Sequence, residues 1–438
     1  MNNINYGPTN LQLDAQLCGP NDFQPGNFGI YASLFLVVCV MVGCVLILNY
    51  GPLVPLAQWT SDCPTGFENA CKSVGGVYRF SFALSCTFGL QLVGTLVYTK
   101  FFDYAWPVKY MCFVATLVGF FFVKAEVFDL NGFAWFARVA AFMYLVSQQV
   151  ILLDFAYTWN EHWVRWSEEA DAAGTGNAQA WLIGLVAISV AIFAGSVAVI
   201  GILFWQFQGC PDSTAIISLT LILSVVVTAF QLFVSDDGSL LTSSIMTAYA
   251  TYICYSAVIL NPNTACNPTL STGYQTVSKA VGIGILILSL AWATHTTISK
   301  IKEGSGFVDA NADTTTAAAL TAAAVSLNPA VLPVSEEGSA QSPYAARGLK
   351  TVLAEVSLVF ILVSCYFAMV LTNWATVQSN YGLASANSGT AAMWLQASGQ
   401  WVAIAMYAWS LVAPKLFPDR DFSGGGGAAP RQASSSVV

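Results

Sequence analysis

Charge is what this sequence has least of. Asp, Glu, Lys and Arg together make up 9% of its 438 residues, against about a quarter in an ordinary water-soluble domain. Beside 56% hydrophobic residues, that scarcity excludes a soluble globule and makes the bilayer the solvent. Histidine is nearly absent as well: His162 and His295 are the two in the chain, and neither sits at a zinc-binding spacing. With no P-loop and no nucleophile elbow, hydrolase and metalloenzyme chemistry lacks its residues. A non-enzymatic protein with no cofactor and no metal is expected. The formal charge of -8 excludes a nucleic-acid partner. Ten-residue alternating segments, the mark of a membrane β-barrel, are also missing.

What is present is a series of apolar stretches near 20 residues long. They fall at about 28–49, 80–98, 106–123, 133–153, 180–204, 215–234, 240–260, 277–298, 351–372 and 392–413, which reads as an all-α, multi-pass membrane protein of about ten spans. An even number puts both termini on one side. Residues 1–27 form a short segment ahead of the first span. They contain no Lys or Arg and so lack the basic region of a signal peptide, which makes the first span a retained anchor. Spans one to eight occupy 28–302. An Ala-, Thr- and Ser-rich stretch with Pro329, Pro333 and Pro343 fills 303–348 and reads as a mobile cytoplasmic linker. Spans nine and ten occupy 349–413, and the Gly- and Ser-rich 414–438 is disordered by composition.

Two signals bear on orientation. Near the loops on the side of the N-terminus lie Lys100, Lys109, Arg165, Lys300, Lys302, Arg347, Lys350, Lys415, Arg420 and Arg431, and on the other side Lys72, Arg79, Lys124 and Lys279. That asymmetry places both termini in the cytoplasm. Of the eleven cysteines, Cys63, Cys71, Cys210 and Cys266 fall in loops of the opposite face. An even set on the non-cytoplasmic side is what an oxidising compartment allows, so Cys63 with Cys71 and Cys210 with Cys266 are the expected disulfides.

The sequence from 133 to 173 has neither glycine nor proline. As one helix it is roughly 60 Å long, about twice the hydrocarbon thickness, so it must tilt, project into water, or both. Ser147, Asp154, Thr158, Glu161 and Arg165 recur on one face of it, a polar stripe from mid-membrane to the cytoplasm. Glu161 and Arg165 have the spacing and polarity of a favourable i, i+4 pair. Asp154 lies deepest, where exposure to lipid is most costly, so it is expected to face the bundle or a cavity. Trp159, Trp163 and Trp166 form a second face at the spacing of an interfacial anchor. Among the other charges, snorkelling accounts for Lys124, Lys279 and Arg79, whereas Glu355 is too short to snorkel and calls for a partner inside the bundle. Ala187, Ala191 and Gly195 in the fifth span offer a stripe of small residues for a neighbouring helix.

The run from Asp154-Phe155 through Trp159-Asn160-Glu161 to Trp163 resembles the serine incorporator family. Other matches follow in family order over about 30–422: Tyr78-Arg79-Phe80-Ser81-Phe82-Ala83, Gly238-Ser239-Leu240-Leu241, Cys266-Asn267-Pro268, Thr372-Asn373-Trp374, Trp409-Ser410-Leu411-Val412-Ala413-Pro414 and Arg420-Asp421-Phe422. The chain departs from the family pattern in having only Cys18 ahead of the first span. The resemblance implies two helical bundles bridged by a long, tilted fourth helix. It also implies work on lipids: movement of phospholipids between leaflets without ATP, or support of serine incorporation into phosphatidylserine and sphingolipids. Membrane phospholipids are the expected partners. Serine, or another small zwitterion carried by a secondary transporter, is the alternative cargo, and a scaffold for lipid-synthesis enzymes is a further alternative. Candidate lipid- or serine-binding residues are Asp154, Thr158, Asn160, Glu161, Arg165, Glu355 and Lys279. The membrane is expected to be the plasma membrane or an endomembrane.

Overall fold

The computed structural model describes residues 27–50, 68–128, 132–172, 174, 178–234, 239–263, 265, 267–268, 274–306, 343–375 and 386–416. Among them run ten α-helices: α1 (Asn27–Tyr50), α2 (Glu68–Val97), α3 (Trp106–Phe121), α4 (Phe133–Ala172), α5 (Ala178–Gln206), α6 (Pro211–Val234), α7 (Leu240–Val258), α8 (Tyr274–Gly306), α9 (Pro343–Leu371) and α10 (Ala386–Leu416). No strand occurs among the described residues. Each expected span coincides with one of these helices. The linker expected at 303–348 falls mostly on 307–342, outside the described residues; α8 reaches Gly306 and α9 opens at Pro343.

Seven helices, α1, α2, α4, α5, α6, α8 and α9, are long and apolar enough to cross a membrane. The other three depart for reasons visible in their surroundings. In α7, Thr242, Ser243, Ser244, Thr247 and Thr251 are all buried, because the helix is enclosed by α4, α5, α6 and α10. A helix that meets protein on all sides needs no lipophilic face. α10 keeps an outward face with Trp394, Val402 and Trp409 exposed and turns its polar side chains inward: Gln400 is fully buried, and its amide donates to Thr220 Oγ1 and to the Ala250 carbonyl, each at 2.9 Å.

The third exception, α3, has 16 residues. That is about 24 Å, short of the roughly 30 Å hydrocarbon core, so its last carbonyls end where water is scarce. Arg79 answers them. Its guanidinium, 0% exposed, donates to Phe120 O at 2.9 Å, Val123 O at 2.8 Å and Gly75 O at 2.9 Å, and lies 4.4 Å from the centre of the Phe128 ring. Arg79 therefore does not snorkel. It caps a helix end inside the bundle, where the orphan carbonyls of a terminus must find donors.

Packing divides the helices into two groups. α1, α2, α3 and α9 hold together on one side, and α5, α6, α7 and α10 on the other. α4 joins them, touching α9 of the first group and α5, α7 and α10 of the second, and α8 runs beside α4 and α9. The sequence of α4 explains this reach. Ala134, Ala137, Ala141, Tyr144, Gln148 and Leu152 are buried at spacings of three or four, a stripe suited to helix packing. The alanines at its start let α9 come close. On α5 the small-residue stripe behaves otherwise: Ala187, Ala191 and Gly195 face outward. The buried face is Leu185, Ser189, Ser196, Ile200 and Leu203, because α7 and α4 lie on that side.

Candidate functional site: the seam of α4 and α8

Polar side chains collect where α4 meets α8, between the two groups of helices. At mid-seam the contact is closed. Ser289 on α8 lies 3.3 Å from the Tyr144 hydroxyl and accepts from Gln148 Nε2 at 3.1 Å, while Gln148 Oε1 accepts from the Tyr249 hydroxyl on α7 at 2.9 Å. Tyr144, Gln148 and Ser289 are fully buried. Three helices are thus pinned by one chain of satisfied hydrogen bonds, which rigidifies such a core.

Further along α4 the seam opens. Asp154 is half-buried and accepts a hydrogen bond from Trp292 Nε1 on α8 at 2.9 Å. The Trp292 ring meets Phe155 edge-on at 5.0 Å and stacks with His295 at 5.8 Å. Next come Thr158 and Asn160, half-buried, and then Glu161 and Arg165, exposed. The expected pairing of those last two is not made. Arg165 instead donates to His162 Nδ1 at 2.7 Å and lies 3.6 Å from Glu169, since residues at i−3 and i+4 both lie within its reach. With Arg165 and Glu169 57% and 65% exposed, the pair contributes little to stability.

The tryptophans form a cluster. Trp159 and Trp163 lie 6.2 Å apart, and Trp163 and Trp166 close on Trp181 of α5 at 6.2 and 5.4 Å. Trp163 Nε1 donates to the Trp181 carbonyl at 2.8 Å. The anchor face thus also clamps the end of α4 to the start of α5.

At its other end the seam holds a cleft lined by α7, α8, α9 and α10, with Lys279, Tyr252, Ser256, Tyr366, Asn373 and Gln396 among its walls. Glu355, by contrast, is half-buried on α9 and engaged with a neighbour. Arg138 was not singled out by its sequence context, being inside a span and next to no motif. Its guanidinium donates to the Trp374 carbonyl at 2.9 and 2.6 Å and to the Ala375 carbonyl at 3.3 Å. Those carbonyls belong to a turn in which Asn373, Trp374 and Ala375 are all left-handed, at φ 50°, 57° and 58°. The signal that could have found Arg138 is the charge itself, since a cation within a span needs a partner there.

Cys71 and Cys210 are disulfide-bonded. Their expected partners, Cys63 and Cys266, lie outside the described residues. The described cysteines of the spans, Cys39, Cys44, Cys86, Cys112, Cys254 and Cys365, are free thiols. Among the described residues no cluster of His, Cys, Asp or Glu is arranged to hold a metal ion.

Comparison with known proteins agrees with this architecture. The chain is 26% identical to serine incorporator 2 of Bos taurus over 90% of its own length and 91% of that protein. It is also 26% identical to a probable serine incorporator of Nematostella vectensis, with 90% and 91% covered, and to serine incorporator 3 of Bos taurus, with 90% and 92% covered. The family described as serine incorporator (Serinc) matches residues 29–420, and the chain belongs to that family.

Proposed function

We propose that this protein lets phospholipids cross between leaflets, with the open polar face of α4 as the track for their headgroups. One observation carries the reading: Asp154 and Thr158 stay half-buried and Glu161 and Arg165 stay exposed, so the stripe is not sealed inside a bundle. A headgroup crossing bare hydrocarbon loses its hydrogen bonds to water, at several kcal/mol per polar group. A row of side chains that replaces some of them lowers that barrier.

The relatives' name supports a second reading, a part in the incorporation of serine. A secondary transporter for serine is less well supported, because α4 and α8 run unbroken through the seam, whereas transport sites commonly lie at interrupted helices. The same proposal puts both termini in the cytoplasm and pairs Cys63 with Cys71 and Cys210 with Cys266.

The test is purified protein in liposomes carrying a fluorescent phospholipid, with an impermeant quencher added outside. The expected result is loss of the protected inner-leaflet fraction without ATP, slowed several-fold by Asp154→Leu. Protection equal to that of protein-free liposomes overturns the reading. Radiolabelled serine flux that depends on Asp154 favours transport instead.

A further inference from the structure

The cleft at the far end of the seam presents groups that the protein leaves without partners. It lies where α7 and α9 end and α8 begins, so on the face opposite the start of α1. About 410 Å³ of empty space, open solvent included, is bounded by Lys279 and Ser278 of α8, Tyr252 and Ser256 of α7, Tyr366 of α9 and Gln396 of α10. Lys279 is half-buried and makes no hydrogen bond or ion pair among the described residues. Gln396 is 2% exposed, and its Oε1 accepts from nothing among the described residues. Tyr252, in contrast, is hydrogen-bonded to Tyr366 and Ser256. Leu145, Ile253 and Val370 supply an apolar wall.

An ammonium offers three donors and no acceptor, and an amide oxygen is an acceptor. Leaving either buried without a partner is costly. The group that completes both has an anionic oxygen for Lys279 and an N–H or O–H for Gln396. We infer that this cleft binds an anionic group that also carries a hydrogen-bond donor, such as the phosphoserine or phosphoethanolamine head of a lipid or a free amino acid. Gly282, one turn along α8 from Lys279, lets the Tyr252 hydroxyl sit against α8, since a β-carbon there would meet it.

Binding is read separately from transport, on the full chain purified in detergent, so this inference and the headgroup track on α4 fail independently. The probes are dihexanoyl-phosphatidylserine, dihexanoyl-phosphatidylcholine, whose quaternary ammonium has no N–H, and L-serine. Phosphatidylserine is expected to bind more tightly than phosphatidylcholine. Lys279→Met is expected to weaken phosphatidylserine about tenfold, the loss of one charge-assisted hydrogen bond, and Lys279→Arg to preserve it. Gln396→Met is expected to abolish the preference over phosphatidylcholine. Competition by L-serine at similar concentration identifies a free zwitterion as the occupant, and its failure to compete identifies a lipid head; both support the site. Equal binding of the two lipids, no binding of any probe, or binding unmoved in Lys279→Met and Gln396→Met proteins of unchanged melting temperature overturns it.

Discussion

Two arginines within the helical array, Arg79 and Arg138, do the same work: each supplies donors to carbonyls at the C-terminal end of another helix. Arg79 serves the end of α3 and Arg138 the left-handed turn after α9. A left-handed residue other than glycine costs roughly 1–2 kcal/mol, and three in succession persist here because the guanidinium binds carbonyls of their turn. Replacing either arginine by Met is therefore expected to lower stability by about 2–5 kcal/mol, the cost of buried acceptors left unmet. Lys is expected to restore only part of the loss, because a single ammonium does not reproduce the planar fork. Thermal unfolding in detergent, followed by tryptophan fluorescence, reads this directly, and an unchanged melting temperature in the Met variants refutes the capping role. The roles of these residues were hidden in the sequence for a physical reason. Capping depends on where a different helix stops, and nothing in the sequence around Arg79 or Arg138 says that the end of α3 or of α9 will lie beside it. Asp154 was legible because a carboxylate deep in a span is costly whatever surrounds it.

Elements were easier to read than their faces. The absence of Gly and Pro from 133 to 173 announces one long helix, and α4 spans Phe133–Ala172. Which side of a helix packs is harder, because a span in lipid is apolar all round and loses the amphipathic signal that marks the buried side in water. α4 and α5 illustrate the difficulty. Both carry alanines at helical spacing, yet Ala137 and Ala141 are fully buried against neighbours while Ala187 and Ala191 face outward. The contrast makes a paired prediction. Ala141→Leu is expected to force α9 away from α4 and cost about 1–3 kcal/mol, the usual penalty of overpacking. Ala187→Leu is expected to cost close to nothing. Melting temperatures of the two variants decide the point, and equal shifts refute the assignment of faces.

For the whole molecule, the question is what holds two bundles in register while a seam between them stays partly open. α4 is common to both, and the mid-seam chain of Tyr144, Ser289, Gln148 and Tyr249 pins α4, α8 and α7 together. The disulfides add a covalent restraint at one face. Cys71 lies in the first turn of α2, in one bundle, and Cys210 directly precedes α6, in the other. With Cys63 and Cys266 as partners, each bond ties a connecting segment to its own bundle, and neither bridges the two. The covalent restraint then acts within each bundle, and what joins the two is α4 with its packing and hydrogen bonds. Peptide mapping of unreduced protein is expected to recover Cys63 linked to Cys71 and Cys210 linked to Cys266, with the buried Cys44, Cys254 and Cys365 as free thiols after denaturation. An impermeant reductant applied outside intact cells or sealed organelles is expected to open both bonds only where that face is accessible, which also tests the cytoplasmic placement of the termini. A peptide joining Cys71 to Cys266 or Cys63 to Cys210 overturns this account, because such a bond ties one bundle to the other instead of closing a segment onto its own.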